Sequence, residues 1–386
     1  MILIKNANIH TMASTDYKNG MILIDKGKIK EIGENINITD DVEVIDVGGK
    51  FVMPGLIDAH CHIGMFESGT GKPGVDGNEI ADSVTPQLRA IDAVNPMDIG
   101  FKEALESGVT MVSTGPGSAN VIGGQFAIMK TYGNRVDDMI INQCSAMKIA
   151  FGENPKRCYS ELKKSPITRM GIAAILRENL IKAQKYVDKK EKANYDSSKM
   201  PEYDMKMEEL AKVIRGEIPL KAHAHRADDI LTALRVAKEF GVDITLDHCT
   251  EGHLIVDYLK EGYQKGVILG PSISSKSKVE LQNLTFKTPG ILSKAGIKVA
   301  IMTDHPVIPL QYLLVCAALA AREGMDEEEA LKAVTINAAE ILGIQDKVGS
   351  IEVGKDADIV VYSGHPFDLR STVDIVIIDG KIVKRK

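Results

Sequence analysis

Pro54-Gly55-Leu56-Ile57-Asp58-Ala59-His60-Cys61-His62 is the stretch whose reading decides the fold. It continues an apolar run that starts at Phe51, which reads as a buried strand. Alternate residues of a strand face the same side, so the His60 and His62 imidazoles point together. Two neutral imidazoles at that spacing can chelate one borderline metal such as zinc. A lone His-x-His carries little weight, but the same arrangement recurs downstream. Leu220–His223 and Ile244–His248 are apolar strands that end in histidine, and Ile301–Asp304 ends in a carboxylate. Polar groups at the C-terminal ends of apolar strands are where parallel barrels build their sites. Counting His225, five of the nine histidines lie in these short segments. A satisfied core histidine would explain any one of them, but not all five together.

Around these segments, strands and helices alternate from about Phe51 to Ile344. Strands are expected at Thr110–Ser113, Met139–Ile149, Leu220–His223, Asp243–His248, Gly266–Leu269 and Lys298–Thr303. Helices are expected at Arg169–Lys192, Met205–Arg215, Asp228–Phe240, His253–Glu261 and Met325–Leu342. Repeated β–α units imply a parallel sheet, and a strand count near eight favours a closed (β/α)8 TIM barrel in the α/β class. The polar stretch Lys185–Met205 reads as a solvated helical insertion, with a lid over the barrel mouth as the alternative. The chain ends differ in character. Short alternating runs at Met1–Ile4, Met21–Ile24, Lys28–Ile32, Val42–Val47, Val348–Val353, Asp358–Tyr362 and Val373–Val383 read as strands, the last broken by the hairpin dipeptide Asp379-Gly380. Neither end can bury a good core alone. The expected organisation is therefore a composite β-sandwich of residues 1–54 and 345–386 beside a barrel of residues 55–344.

The 386 residues carry a formal net charge of −6 with the two signs interspersed. No basic stripe indicates nucleic acid, and no apolar run reaches membrane-spanning length. Five scattered cysteines without a CxxC pair argue against a disulfide framework and for a reducing cytoplasm. Cys61 and Cys249, each next to a site histidine, are expected to be buried fillers facing away from it. Partners are thus expected to be a small-molecule substrate, with neither nucleic acid nor membrane, and with a homo-oligomer left open.

The entry motif Pro54–His62 and the tail Gly349-Ser350-Ile351-Glu352-Val353-Gly354-Lys355-Asp356-Ala357-Asp358 resemble the amidohydrolase superfamily, over nearly the whole chain. Lys221–Asp228 and Gly152–Lys156 resemble its imidazolonepropionase-related and prolidase-like members. The resemblance implies hydrolysis of an amide, cyclic amide or dipeptide C–N bond by a metal-activated water. It also implies one or two Zn2+ ions, or Fe2+ or Mn2+. The implied ligands are His60, His62, His223, His248 and Asp304, with a further one on strand four. For that position Glu153 is preferred, as nearer the strand end, and a carboxylated Lys148 is the alternative. Asp304 is assigned as proton shuttle, and His248 completes the catalytic pair. His225 is expected to bind substrate, to orient a ligand or to replace His223. Arg226 is placed in the substrate site, as is Gln125 on a Gly-rich loop (Gly115–Ser118, Gly123–Gln125) whose N–H groups could face a carboxylate or oxyanion. A heterocycle deaminase is the second reading. Such enzymes often carry Glu three residues after the strand-five histidine, where this chain has Arg226. A non-catalytic metal-binding barrel is the third.

Overall fold

In the computed structural model, which describes residues 1–38, 41–194 and 196–386, the chain builds two eight-stranded sheets. The first five strands are β1 (Ile2–Ile9), β2 (Tyr17–Asp25), β3 (Lys28–Gly33), β4 (Glu43–Asp46) and β5 (Phe51–Pro54). The next eight are β6 (Leu56–Cys61), β7 (Val109–Thr114), β8 (Ile122–Lys130), β9 (Ile140–Ala150), β10 (Leu220–Ala224), β11 (Ile244–His248), β12 (Val267–Leu269) and β13 (Val299–Ile301). The chain ends with β14 (Ile359–Tyr362), β15 (Val373–Ile378) and β16 (Lys381–Arg385).

Both chain ends share one sheet, in the order β16-β15-β14-β5-β1-β2-β3, with β4 also on β1. The two pieces join where β5 runs antiparallel to β14, Val52 opposite Val361. Ile4, Ile22, Ile45, Val52, Ile359 and Ile377 fill a single core between them. Backbone pairing links all eight strands into one continuous sheet. It is continuous because β1 pairs with β4 along its first half and with β5 at its end. Val348–Val353 is not a strand. Its backbone is laced instead to the loop after β1, by Ile351 N–H to Thr11 O (2.9 Å), and to β3, by Gly354 N–H to Ile29 O (2.8 Å).

Strands β6 to β13 follow one another in space in sequence order, forming a nearly closed barrel. The expectation of an all-parallel sheet needs correction, because β8 runs antiparallel to both β7 and β9. The short segment 115–121 holds no helix to carry the chain back, so β8 returns directly. Gly123 to Gln125, read from the sequence as loop, lie within β8. Gly124 is needed there: its φ is +129°, and a Cβ would stand 2.6 Å from Leu88 O of the crossing segment. Helices are also unevenly spread: none lies between β7 and β8, and only the 3₁₀ turn Gly252–Leu254 and the short helix Val256–Leu259 follow β11. The expected helices over 169–192, 205–215 and 228–240 form at Arg169–Ala193, Met205–Ile214 and Ala227–Phe240. Thr168 caps the first of these through Gly171 N–H at 3.0 Å, and Gly241 ends the last at φ +65°. No helix among the described residues is long and apolar enough to cross a membrane.

Among the described residues no ladder joins β13 to β6. The buried Asp58 carboxylate bridges them, accepting Thr303 N–H at 2.9 Å and Thr303 Oγ1–H at 2.6 Å. His62 N–H then donates to His305 O at 2.8 Å, one step beyond.

A second buried polar contact ties the barrel to the terminal sheet. Lys130, at the end of β8, sends its Nζ to Asp358 Oδ2 (2.6 Å), Asp379 Oδ1 (3.2 Å) and Asp356 Oδ2 (3.3 Å). Burial would lower the lysine's pKa, but Asp358 and Asp379 outweigh it and hold the ammonium charged. Lys130→Met strands the buried Asp358 carboxylate, and is expected to cost about 3–5 kcal/mol of stability, as removing one member of a buried pair does. Chemical denaturation of the variant and the wild type measures this. Equal unfolding midpoints and slopes would show that the cluster does not hold the sheet to the barrel.

Candidate active site

Three strand ends bring five imidazoles together. His60 lies on β6 with His62 just past it, His223 lies on β10 with His225 just past it, and His248 ends β11. Ring centroids stand 5.0 Å apart for His60 and His62, 5.6 Å for His60 and His248, and 4.3 Å for His223 and His248. His225 lies 4.5 Å from His248. Asp304, just past β13, places Oδ1 3.2 Å from His62 Nε2 and 3.4 Å from His60 Nε2. Two groups, His60–His248–Asp304 and His223–His225–His248, each bring three ligand atoms within 4.8 Å of one another.

The donor set fits a divalent metal. His62 Nδ1 lies 2.7 Å from Gly115 O, and His248 Nδ1 lies 2.8 Å from Gly270 O. A carbonyl only accepts, so each Nδ1 carries the proton and each Nε2 presents a lone pair. Buried His223 Nδ1 has no hydrogen-bond partner. Burial, reinforced by neighbouring imidazoles, drives the pKa values of His223 and His225 well down. Burial lowers His248 to about 3. Neutral imidazoles are the form that binds metal. Burial alone would raise Asp304, but His248, His60 and His62 outweigh it and hold the carboxylate well below its usual range.

The backbone is bent to achieve this. His248 and Asp304 have φ of +70° and +55°, left-handed values that are uncommon for residues with a Cβ. At His248 the bend cancels strand alternation. His223 is opposite Asp247 in the β10–β11 ladder, and Asp247 contacts His60, yet the adjacent His248 also reaches the site.

The expected residues divide into two sets. His60, His62, His223, His225, His248 and Asp304 converge. Gln125 does not: it is buried in β8, donating Nε2–H to Pro86 O at 3.1 Å and its N–H to Leu88 O at 2.8 Å. Those bonds hold the crossing segment. Arg226 precedes the helix Ala227–Phe240, its guanidinium engaged in two 3.0 Å bonds to Asp228. Glu153, preferred from sequence, stands in neither ligand group. It begins the helix Glu153–Glu161, its N–H bonded to Glu280 Oε2 at 2.9 Å. Lys148 occupies the central position instead, fully buried, its Nζ 3.4 Å from His60 Nε2. The difference is one of reach: β9 continues to Ala150, so Lys148 lies inside the barrel while Glu153 lies past the turn at Gly152.

Other polar groups went unassigned in the sequence. Asn154 bridges Ser118 Oγ (2.7 Å) and Lys278 Nζ (2.6 Å), and its Nδ2 stands 3.4 Å from His223 Nε2. Buried Glu280 places Oε1 3.8 Å from His225 Nε2. Asp247 and Lys221 lie beneath the histidines. The one available signal for that pair was a charged residue inside each of two otherwise apolar strands. Beside His248 an apolar pocket opens, walled by Leu269, Leu284, Phe286, Ile301 and Cys316.

Known proteins share this fold. The solved structure of an amidohydrolase from Thermotoga maritima MSB8 is 47% identical and superposes with a TM-score of 0.97 over 100% of both chains. The imidazolonepropionase of Fusobacterium nucleatum is 25% identical over 95% of this chain and 92% of its own length. Amidohydrolase tasK of Hapsidospora irregularis is 27% identical over 94% of this chain, which spans only 39% of that protein. Residues 51–383 match the sequence description of the amidohydrolase family, and the chain belongs to that family.

Proposed function

We propose that this protein hydrolyses a carbon–nitrogen bond of a small amide, cyclic amide or dipeptide, at a divalent-metal centre held by His60, His62, His223, His248 and Asp304. The observation that carries this is the convergence of His60, His62, His223 and His248 with an ionised Asp304 at the C-terminal ends of the barrel strands. A divalent ion held there supplies Lewis acidity, polarising a carbonyl oxygen and lowering the pKa of water. Asp304 Oδ1 accepts a proton as the water oxygen bonds to the carbonyl carbon. The resulting acid returns that proton to the nitrogen as the C–N bond breaks. His225, its Nδ1 2.8 Å from Thr250 Oγ1, faces the same space and is placed to hold the substrate. The pocket beside His248 accepts an apolar substituent.

For the strand-four position the proposal turns to Lys148. Burial lowers its ammonium pKa to about 8, which raises the share of neutral amine near physiological pH. A neutral Nζ can add to the carbon of carbon dioxide and lose a proton, forming an anionic carbamate that completes the ligand set. Deamination of a heterocycle is disfavoured because Arg226 replaces the carboxylate three residues after His223, and is tied to Asp228.

Two outcomes test this reading. After growth with zinc, His60→Ala/His62→Ala should be folded and nearly metal-free by elemental analysis. Lys148→Ala should also lose metal, partly regained with short carboxylic acids, whereas Glu153→Ala should keep it. Full metal in Lys148→Ala would remove the carbamate from the centre, and full metal in the double variant would move the centre elsewhere. On a substrate found by screening amides, lactams and dipeptides, Asp304→Asn should lower kcat ~10²- to 10⁴-fold, the usual contribution of general acid–base catalysis. KM should change little and most of the metal should stay bound. Near-normal kcat at full metal occupancy would exclude Asp304 as the proton carrier.

A further inference from the structure

Beneath the histidines lies a buried charged network, of which the proposed chemistry leaves Asp247 and Lys221 without a role. Asp247 is fully buried on β11, and its two oxygens face different partners. Oδ1 accepts Lys221 Nζ at 3.0 Å, and Lys221, on β10, also donates to Ala59 O on β6 at 3.1 Å. Oδ2 stands 3.0 Å from His60 Nδ1 on β6 and 3.4 Å from Lys148 Nζ on β9. Four strands therefore meet at one carboxylate. The His60 ring N–H lies off the line to Oδ2, but no better-aligned acceptor reaches Nδ1.

We infer that Asp247 is the positioning residue of the centre: it fixes His60 as the Nδ1–H tautomer with Nε2 aimed at the ligand space, and holds Lys148 beside it. Its partner Lys221 anchors it to β6. The argument is geometric. With a carboxylate 3.0 Å from Nδ1 and the donor Lys148 Nζ 3.4 Å from Nε2, the surroundings favour the proton on Nδ1. His60 Nε2 is then the lone-pair donor, and it is this atom that stands 3.4 Å from Asp304 Oδ1. His62 and His248 take the same tautomer from the backbone carbonyls of Gly115 and Gly270. His60, in mid-barrel where the carbonyls are used in ladders, needs a side chain to do so. Lys221 Nζ at 3.0 Å and Lys148 Nζ at 3.4 Å both face the Asp247 carboxylate. Outer carboxylates that orient a ligating histidine typically change metal affinity 10- to 100-fold when removed.

This inference rests on the proposed metal centre, so its test uses two readouts. The first is the zinc dissociation constant of full-length Asp247→Asn, by competition with a chromophoric chelator. An increase of about 10- to 100-fold over wild type supports the inference, and unchanged affinity overturns it. The second is the tautomer of His60 in the wild-type protein, read from its ¹⁵N imidazole shifts with zinc and without, the signals assigned by His60→Gln. A proton on Nδ1 supports the positioning role, and a proton on Nε2 overturns it even if Asp247→Asn does not fold. A merely space-filling Asp247 would move neither quantity. Should wild type fail to bind zinc at all, the metal centre falls, while the tautomer of the zinc-free protein still decides the role of Asp247.

Discussion

Asp58 closes the barrel and in doing so assembles the site. The first and last barrel strands meet at a carboxylate that accepts two hydrogen bonds from Thr303 and one from His60 N–H at 3.0 Å. Burial raises its pKa to about 6, and these donors act against that rise. The residues on either side of the seam are the chemical ones. His60 and His62 follow Asp58 at alternating positions, and Asp304 follows Thr303. Joining Asp58 to Thr303 therefore sets the separation of His62 from Asp304. A ladder of backbone bonds would allow register to slip by whole residues. A single carboxylate matched to one threonine does not.

Electrostatics follow from this geometry. The interior holds Asp58, Asp247 and Asp304 with Lys148 and Lys221, all buried. Isolated charges would be costly there, so they persist in contact. Asp247 lies between two lysines, and Asp304 among imidazoles. Burial lowers the pKa values of His60, His223, His225 and His248, which suits them to ligation, and the ionised carboxylate remains available to a proton. The two buried networks have separate tasks. The upper one faces the ligand space, and the lower one holds ring orientation. Lys148 belongs to both.

Much of this was legible in the sequence, for physical reasons that can be named. The ligand strands are apolar runs ending in a polar residue, so their role survives any error in element boundaries. The β15–β16 hairpin was signalled by Asp379-Gly380, where φ is positive at both residues. What was missed depends on tertiary context. Gly123-Gly124 reads as loop because glycine marks turns, but here it makes room for a segment crossing a buried strand. Gln125 went with that error. Glu153 was preferred over Lys148 as nearer the strand end, but β9 ends at Ala150, within a residue of the expected end, and Lys148 lies inside it. Asp247 escaped notice because alternation assigns adjacent residues to opposite faces.

That last failure carries the most information about the site. A regular strand can offer the barrel interior only every second side chain. The cluster takes more than that from β11: the Asp247 carboxylate against His60, and the His248 imidazole next to it in sequence. The left-handed turn at His248 supplies both from consecutive positions, and Asp304 does the same after Thr303, which holds the seam while its neighbour faces the histidines. Backbone strain at such positions persists where surrounding contacts over-determine it. Here those contacts are identifiable. Gly270 O holds the His248 ring, Ala224 O accepts Cys249 N–H at 2.9 Å, and His62 N–H holds the carbonyl just beyond Asp304. The strained residues are thus fixed by neighbouring strands rather than by their own, so the site's precision is a property of barrel closure.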